Sequence, residues 1–116
     1  MNPETICVAR YVASHDESVA WYEKLFGRPA DARPTPRCQE WRLGADIVFH
    51  VIEMPSRQGE TSVTFGLSDL DDEAARLWEA GITLDAQSIV GRFAASRYTA
   101  TCDPEGVSLG ILYGAQ

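Results

Sequence analysis

Two amphipathic segments of this 116-residue chain each end in a glycine, Gly27 and Gly81, set apart by close to half the chain's length. A pattern repeated at that interval predicts two like modules, and no other feature constrains the architecture as much. The first segment opens at Ser14, with Glu17 three residues on as a capping-box partner. It carries Val19, Tyr22, Leu25 and Phe26 at helical spacing. The second opens near Ser68 or Asp69, where early acids suit the positive end of the helix dipole, and its stripe is Leu70, Ala74, Leu77 and Trp78. Glycine accepts the left-handed conformation that closes a helix, so both stops are predicted at the glycines.

Strand-like segments flank both helices. Residues 5–13 precede the first; residues 39–43 and 46–54 follow it and turn at Gly44-Ala45. A further short strand within residues 28–37 is weakened by Pro29, Pro34 and Pro36. Residues 61–68 precede the second helix, and residues 83–90, 92–102 and 107–113 follow it. Asp103-Pro104-Glu105-Gly106 supplies Asp at i, Pro at i+1 and Gly at i+3 of a type I turn. Each half thus reads strand, helix, then two or three strands, with residues 54–60 between the halves.

Sorting strand residues by alternation gives two unlike faces. One is bulky and apolar: Val63, Phe65 and Leu67; Val107, Leu109, Ile111 and Tyr113; Ile47, Phe49 and Val51; Ile6, Val8 and Val12. The other is small and partly polar: Ser62, Thr64 and Gly66; Ser108, Gly110 and Leu112; Val48, His50 and Ile52; Cys7, Ala9 and Tyr11. A merely solvated face would be dominated by Lys, Glu and Arg, so this pattern predicts a curved sheet with a hollow.

Composition narrows the partners. The length fits one domain, and 45% apolar with 23% charged residues excludes a disordered chain. No run approaches the roughly 20 apolar residues of a membrane span, and Met1-Asn2-Pro3-Glu4 does not read as a signal peptide. A net charge of -7 repels phosphate backbones and anionic lipid, so neither nucleic acid nor a membrane is expected as a partner. Cys7, Cys38 and Cys102 are odd in number and form no CxxC pair, which argues against a disulfide framework and for a cytoplasmic setting. No glycine-rich phosphate loop, GxSxG or HExxH occurs.

Residues 18–27, SVAWYEKLFG, resemble the helix signature of the vicinal oxygen chelate superfamily, which includes glyoxalase I, extradiol dioxygenases, and fosfomycin- and bleomycin-resistance proteins. Residues 102–109, CDPEGVSL, resemble its closing hairpin, and residues 74–82, AARLWEAGI, its second helix. The resemblance implies an α+β fold of paired βαβββ modules, about 1–56 and 57–116 in a single domain, curling into an incomplete barrel. It also implies a homodimer in which both subunits wall each cavity. Metal-dependent members hold a divalent ion with four strand side chains, and those positions fall here on Cys7, on Val48 or His50, on Ser62 and on Gly110. Gly110 has no side chain and Ser62 replaces a histidine. A thiol and an imidazole alone do not satisfy a divalent ion, so neither metal nor another cofactor is expected.

The remaining candidates each carry two readings. His50 is either a ligand contact or acid–base group, or a strand histidine with a structural partner; no carboxylate is evident to orient it. His15, in the first helical turn, reads as surface. The cysteines read as small hydrophobes, Cys7 alone facing the hollow. Trp21 and Trp78 read as core or subunit packing. Trp41, Tyr11 and Tyr98 are divided between stacking on a flat ligand and ordinary packing. Arg92 and Arg97 read as surface counter-charges. The ligand-contact set is therefore Tyr11, Trp41, His50, Thr64, Tyr98 and Ser108. The expected function is metal-free binding of a small aromatic or cationic compound, as in bleomycin-resistance proteins. The competing expectation is a lyase, isomerase or oxygenase with a displaced metal site or a His50 mechanism.

Overall fold

The computed structural model describes residues 1–68, 70–85, 88–89 (backbone only) and 97–113. In chain order these form β1 (Thr5–Val12), α1 (His15–Phe26), β2 (Ala32–Thr35), β3 (Cys38–Arg42), β4 (Ile47–Glu53) and a 3-10 turn (Pro55–Arg57). There follow β5 (Thr61–Leu67), α2 (Asp71–Glu79), β6 (Ser88–Ile89), β7 (Arg97–Cys102) and β8 (Ser108–Tyr113). This is the α+β sequence of two βαβββ modules. The chain clusters into two compact units, Cys7–Ser62 and Met1–Ile6 with Val63–Gln116. No helix among the described residues is long and apolar enough to cross a membrane.

In the unit Cys7–Ser62 the strand order is β1-β4-β3-β2. The β3–β4 hairpin is antiparallel and sets Trp41 opposite Phe49, Glu40 opposite His50 and Cys38 opposite Ile52. Helix α1 lies over the odd-numbered face of that hairpin. Tyr22 and Phe26 meet Phe49 at ring separations of 5.2 and 5.5 Å, and Phe26 lies 5.4 Å from Trp41. Trp41 is fully buried, and its indole N–H donates to the Arg28 carbonyl at 3.2 Å. This corrects the reading of Trp41 as a rim aromatic: its odd number places it under α1, where a flat ligand does not reach.

Two further expectations about α1 change, and a third, for Trp21, narrows to its subunit-packing branch. Ser14 is its N-cap but makes no side-chain cap hydrogen bond, so the capping box with Glu17 is not formed. His15 is buried, not at the surface; its Nδ1 lies 3.0 Å from Asp16 Oδ1, and its Nε2 is enclosed without a hydrogen-bond partner among the described residues. Positions 15, 19, 22 and 26 share one helical face, so His15 extends the Val19–Tyr22–Phe26 stripe by one turn. Trp21 stands on the outer side, 57% exposed. The stop is as read: Gly27 has φ 75°, and its N–H returns to the Glu23 carbonyl at 2.9 Å.

In the other unit β5 pairs parallel with β8, β8 antiparallel with β7, and β7 antiparallel with β6. The order β5-β8-β7-β6 repeats that of the first four strands. Leu67, Leu70, Leu77 and Ile111 form its core, with Ala74, Leu84 and Tyr113 packed against them. Helix α2 starts at Asp71, later than read, with Leu70 at its N-cap and three acids in its first turn; Asp69 lies outside the described residues. Trp78 is 74% exposed and not core. Among the described residues of the strand expected over 83–90, Ser88–Ile89 are strand and 83–85 are tied to β7 differently. Thr99 Oγ1 donates to the Asp85 carbonyl at 2.8 Å, and Thr101 Oγ1 to the Thr83 carbonyl at 2.9 Å. Arg92 and the strand start around it lie outside the described residues. The 103–106 turn closes as read: Gly106 N–H donates to the Asp103 carbonyl, and Asp103 Oδ1 accepts from the Glu105 and Val107 amides.

Candidate functional site

The strand face turned away from α1 carries the polar side chains of the unit Cys7–Ser62. His50 sits opposite Glu40 across the hairpin, and its Nε2 lies 2.9 Å from Glu40 Oε1. Its other nitrogen, Nδ1, is 3.5 Å from Cys7 Sγ. Glu40 in turn holds Arg42, Nη2 to Oε2 at 3.4 Å. Burial, and then the neighbouring Cys38 and Glu40, push the Cys7 thiol up to about 12. At neutral pH it is a protonated thiol lying against Nδ1, while Nε2 faces the Glu40 carboxylate. Both imidazole nitrogens are thereby engaged.

Glu40 is the residue that sequence reasoning missed. The loop is three residues, 44–46, closed by the Leu43 amide on the Ile47 carbonyl, so residues five to either side of Ala45 pair and Glu40 meets His50; the two-residue turn read at Gly44-Ala45 would have set Glu40 opposite Phe49. Cys38 also belongs to this face, since it alternates with Glu40, so Cys7 is not alone there. Cys38 is buried, and that burial together with Glu40 pushes its thiol up to about 11. Of Val48 and His50, it is His50 that meets Cys7.

Tyr11 lies further along β1. Its hydroxyl is 3.1 Å from Ser62 Oγ, and the Arg57 guanidinium covers one ring face at 3.9 Å from the centroid. It borders a depression of about 340 Å3 shared with Arg10, Ser14, Glu17, Gln58 and Gly59. A ligand stacking on Tyr11 uses its other face or displaces Arg57.

In the second unit Thr64 pairs with Gly110. A Cβ at Gly110 would stand 2.6 Å from the Tyr98 hydroxyl oxygen, 2.7 Å from Thr64 Oγ1 and 2.7 Å from Tyr98 Cε2. The phenol and the threonine hydroxyl therefore fill the space a side chain would take. Ser108 is exposed at the start of β8, opposite Cys102. The structure thus brings Thr64 and Tyr98 together over Gly110, places Tyr11 and His50 on β1 and β4, and removes Trp41 from the set.

The positions implied to hold a divalent ion do not fit one. In the first unit the Cys7 thiol is engaged by His50, His50 by Glu40, and Ser62 by Tyr11. In the second, Gly110 offers no donor and no room for one. Among the described residues no group of three or more His, Cys, Asp or Glu is placed to hold a metal ion.

No protein-family model matches the sequence, and no curated protein matches it. Solved structures do. An NAD-dependent benzaldehyde dehydrogenase from Legionella pneumophila matches with a TM-score of 0.72 at 12% identity, over 95% of this chain and 99% of that one. A methylmalonyl-CoA epimerase from Streptomyces coelicolor, in complex with 2-nitronate-propionyl-CoA, matches at 0.68 and 18%, over 99% and 100%. A glyoxalase/bleomycin resistance protein/dioxygenase superfamily member from Vibrio splendidus 12B01 matches at 0.66 and 12%, over 95% and 97%. At these identities the likeness is one of fold.

Proposed function

We propose that this chain, built on the α+β fold of the glyoxalase/bleomycin resistance protein/dioxygenase superfamily, is a metal-free binding protein that sequesters a small aromatic or cationic compound. One observation carries the reading. Where metal-dependent members are expected to place their last ligand, Gly110 has its side-chain space filled by Tyr98 and Thr64. A phenol and a hydroxyl there serve hydrogen bonding and stacking, not coordination. Tyr11, His50, Thr64, Tyr98 and Ser108 are the contacts of this reading, and the net charge of -7 favours a basic ligand. The two modules are treated as halves of one domain, two copies associate, and the setting is cytoplasmic, which the free thiols of Cys7, Cys38 and Cys102 favour.

Titration with planar aromatic cations, acridine orange first, beside elemental analysis of the same sample, tests the reading. Saturable binding that survives a chelator and weakens at least tenfold in Tyr98→Ala is the expected result. Near-stoichiometric Ni, Zn, Fe or Mn, with binding lost on chelation, overturns it.

A second reading is a metal-free enzyme that uses His50 as its proton carrier. It is favoured by the 2.9 Å contact to Glu40, which fixes the ring and stabilises an imidazolium. A substrate would first have to displace the Cys7 thiol from Nδ1. Turnover lost equally in His50→Gln and Glu40→Gln would support this reading over sequestration.

A further inference from the structure

The outer face of α1 carries apolar area that nothing in its own unit covers. Trp21 and Leu25 are 57% and 58% exposed, and Ala20 beside them is exposed as well. Glu17 and Lys24 lie on the same stripe, because positions 17, 20, 21 and 24 fall on one side of a 3.6-residue helix. Neither charge has an ion-pair partner among the described residues. A depression of about 440 Å3 adjoins Trp21, lined by Glu17, Ser18, Ala20 and Lys24. The indole is held edge-on against Tyr22, ring centroids 5.0 Å apart at 86°, so it stands as a fixed projection beside that hollow.

This stripe is complementary to itself. A two-fold axis through the helix midpoint, between residues 20 and 21, turns a second α1 antiparallel to the first. Each Glu17 then faces the Lys24 of the other copy, and each Trp21 faces the small Ala20 and its hollow. We infer that the outer face of α1 is the seat of a second copy of this chain, anchored by Trp21 and aligned by the two Glu17–Lys24 pairs. The inference rests on the homodimer in the reading above and gives it a surface. That surface lies on the opposite side of the strands from His50, so this association differs from the expected arrangement in which both subunits wall each cavity, and it leaves the polar face of the unit Cys7–Ser62 open.

A pre-ordered aromatic loses little freedom on docking and makes an efficient anchor. One helix face buries less than the roughly 1,200 Å2 of a standard interface, so the dimer is weak, dissociating in about the micromolar to hundred-micromolar range. Each charge pair occurs twice by symmetry, so one reversal creates two repulsive contacts at once.

Sedimentation equilibrium at physiological ionic strength tests the surface on the intact chain. Glu17→Lys and Lys24→Glu alone are each expected to weaken association about tenfold, and the double reversal to restore most of it. Both sites are solvent-exposed, so unchanged far-UV circular dichroism is expected throughout. Trp21→Ala should abolish measurable association, whereas Trp78→Ala, which removes the more exposed indole of α2, should not alter it. A wild-type chain that stays monomeric to about 500 μM overturns the dimer and this surface together. A dimer that ignores the single reversals, that the double reversal fails to restore, or that Trp78→Ala weakens equally overturns the surface alone.

Discussion

The two units share a strand order and a helix closed at glycine, yet they are filled by different chemistry. In Cys7–Ser62 the helix rests on aromatic rings, Tyr22, Phe26, Trp41 and Phe49, and the far strand face holds the Cys7–His50–Glu40–Arg42 chain of polar contacts. In the unit that contains Val63–Gln116 the helix rests on Leu67, Leu77 and Ile111, and the far face is Thr64 and Tyr98 closing over Gly110. A repeated backbone demands only that one strand face be apolar and that each helix stop where it does. The other face is free to diverge, and here one copy became ionisable while the other became hydroxyl-lined.

The largest test of that contrast is in the cores. Trp41→Ala removes a fully buried indole and its hydrogen bond to Arg28, and is expected to cost about 3–5 kcal/mol in urea unfolding. Leu77→Ala in the aliphatic unit should cost about 2–4 kcal/mol. A Trp41→Ala cost under about 1 kcal/mol would return Trp41 to the rim and undo the distinction.

Next comes the far face. Gly110→Ala places a methyl against Tyr98 and Thr64 and is expected to destabilise by about 1–3 kcal/mol. Tyr98→Ala in the same chain should recover much of that loss, and Tyr98→Phe less, because Cε2 crowds the site as closely as the hydroxyl. If Gly110→Ala is neutral, the hydroxyl-lined wall is looser than drawn and could admit a longer side chain.

The thiols give the ionisable face a pH signature of its own. Burial raises Cys7 from 9.0 to about 12 and Cys38 from 9.0 to about 11. A raised thiol favours the protonated, folded state, so the stabilisation is complete below pH 9 and is lost as the pH climbs from 9 through 11 to 12. Stability measured across that interval should fall, and should fall less steeply in Cys7→Ser. A profile identical in wild type and Cys7→Ser would show that Cys7 is not enclosed on this face.

What the sequence made legible was whatever depends on backbone conformation or on period. Gly27 and Gly81 fixed both helix ends because only a residue without Cβ enters the left-handed region cheaply. Alternation sorted His50 from Phe49 correctly. Less legible was everything decided by which strand lies opposite. Glu40 carried no reading until the hairpin register placed it on His50, and Trp41 stayed divided between stacking and packing until its ring contacts put it under α1. His15 was misjudged because a polar residue in a first turn reads as solvated, although its position continues the buried stripe. Trp21 and Trp78 read as core or subunit packing, and their exposure removes the core branch alone, because neither lies on its helix's inward face.

The smallest expected effect concerns the helix starts, where the two units agree. Among the described residues neither α1 nor α2 has a side-chain cap: Ser14 leaves its hydroxyl uncommitted to the helix, and α2 begins after Leu70, which has no polar group to offer. A working serine cap contributes about 1 kcal/mol, but a serine that makes no cap bond contributes only what its backbone preference gives. Ser14→Ala should therefore shift stability by less than about 0.5 kcal/mol. Leu70→Ser should lose far more, about 2–4 kcal/mol, because Leu70 is a core residue that occupies a capping position. The acids take over the missing role: Asp16 and Glu17 in α1, and Asp71, Asp72 and Glu73 in α2, all sit in first turns where negative charge meets the helix dipole. A loss of 1 kcal/mol or more in Ser14→Ala would mean that the capping box forms in solution after all, and that the two helices begin by different devices.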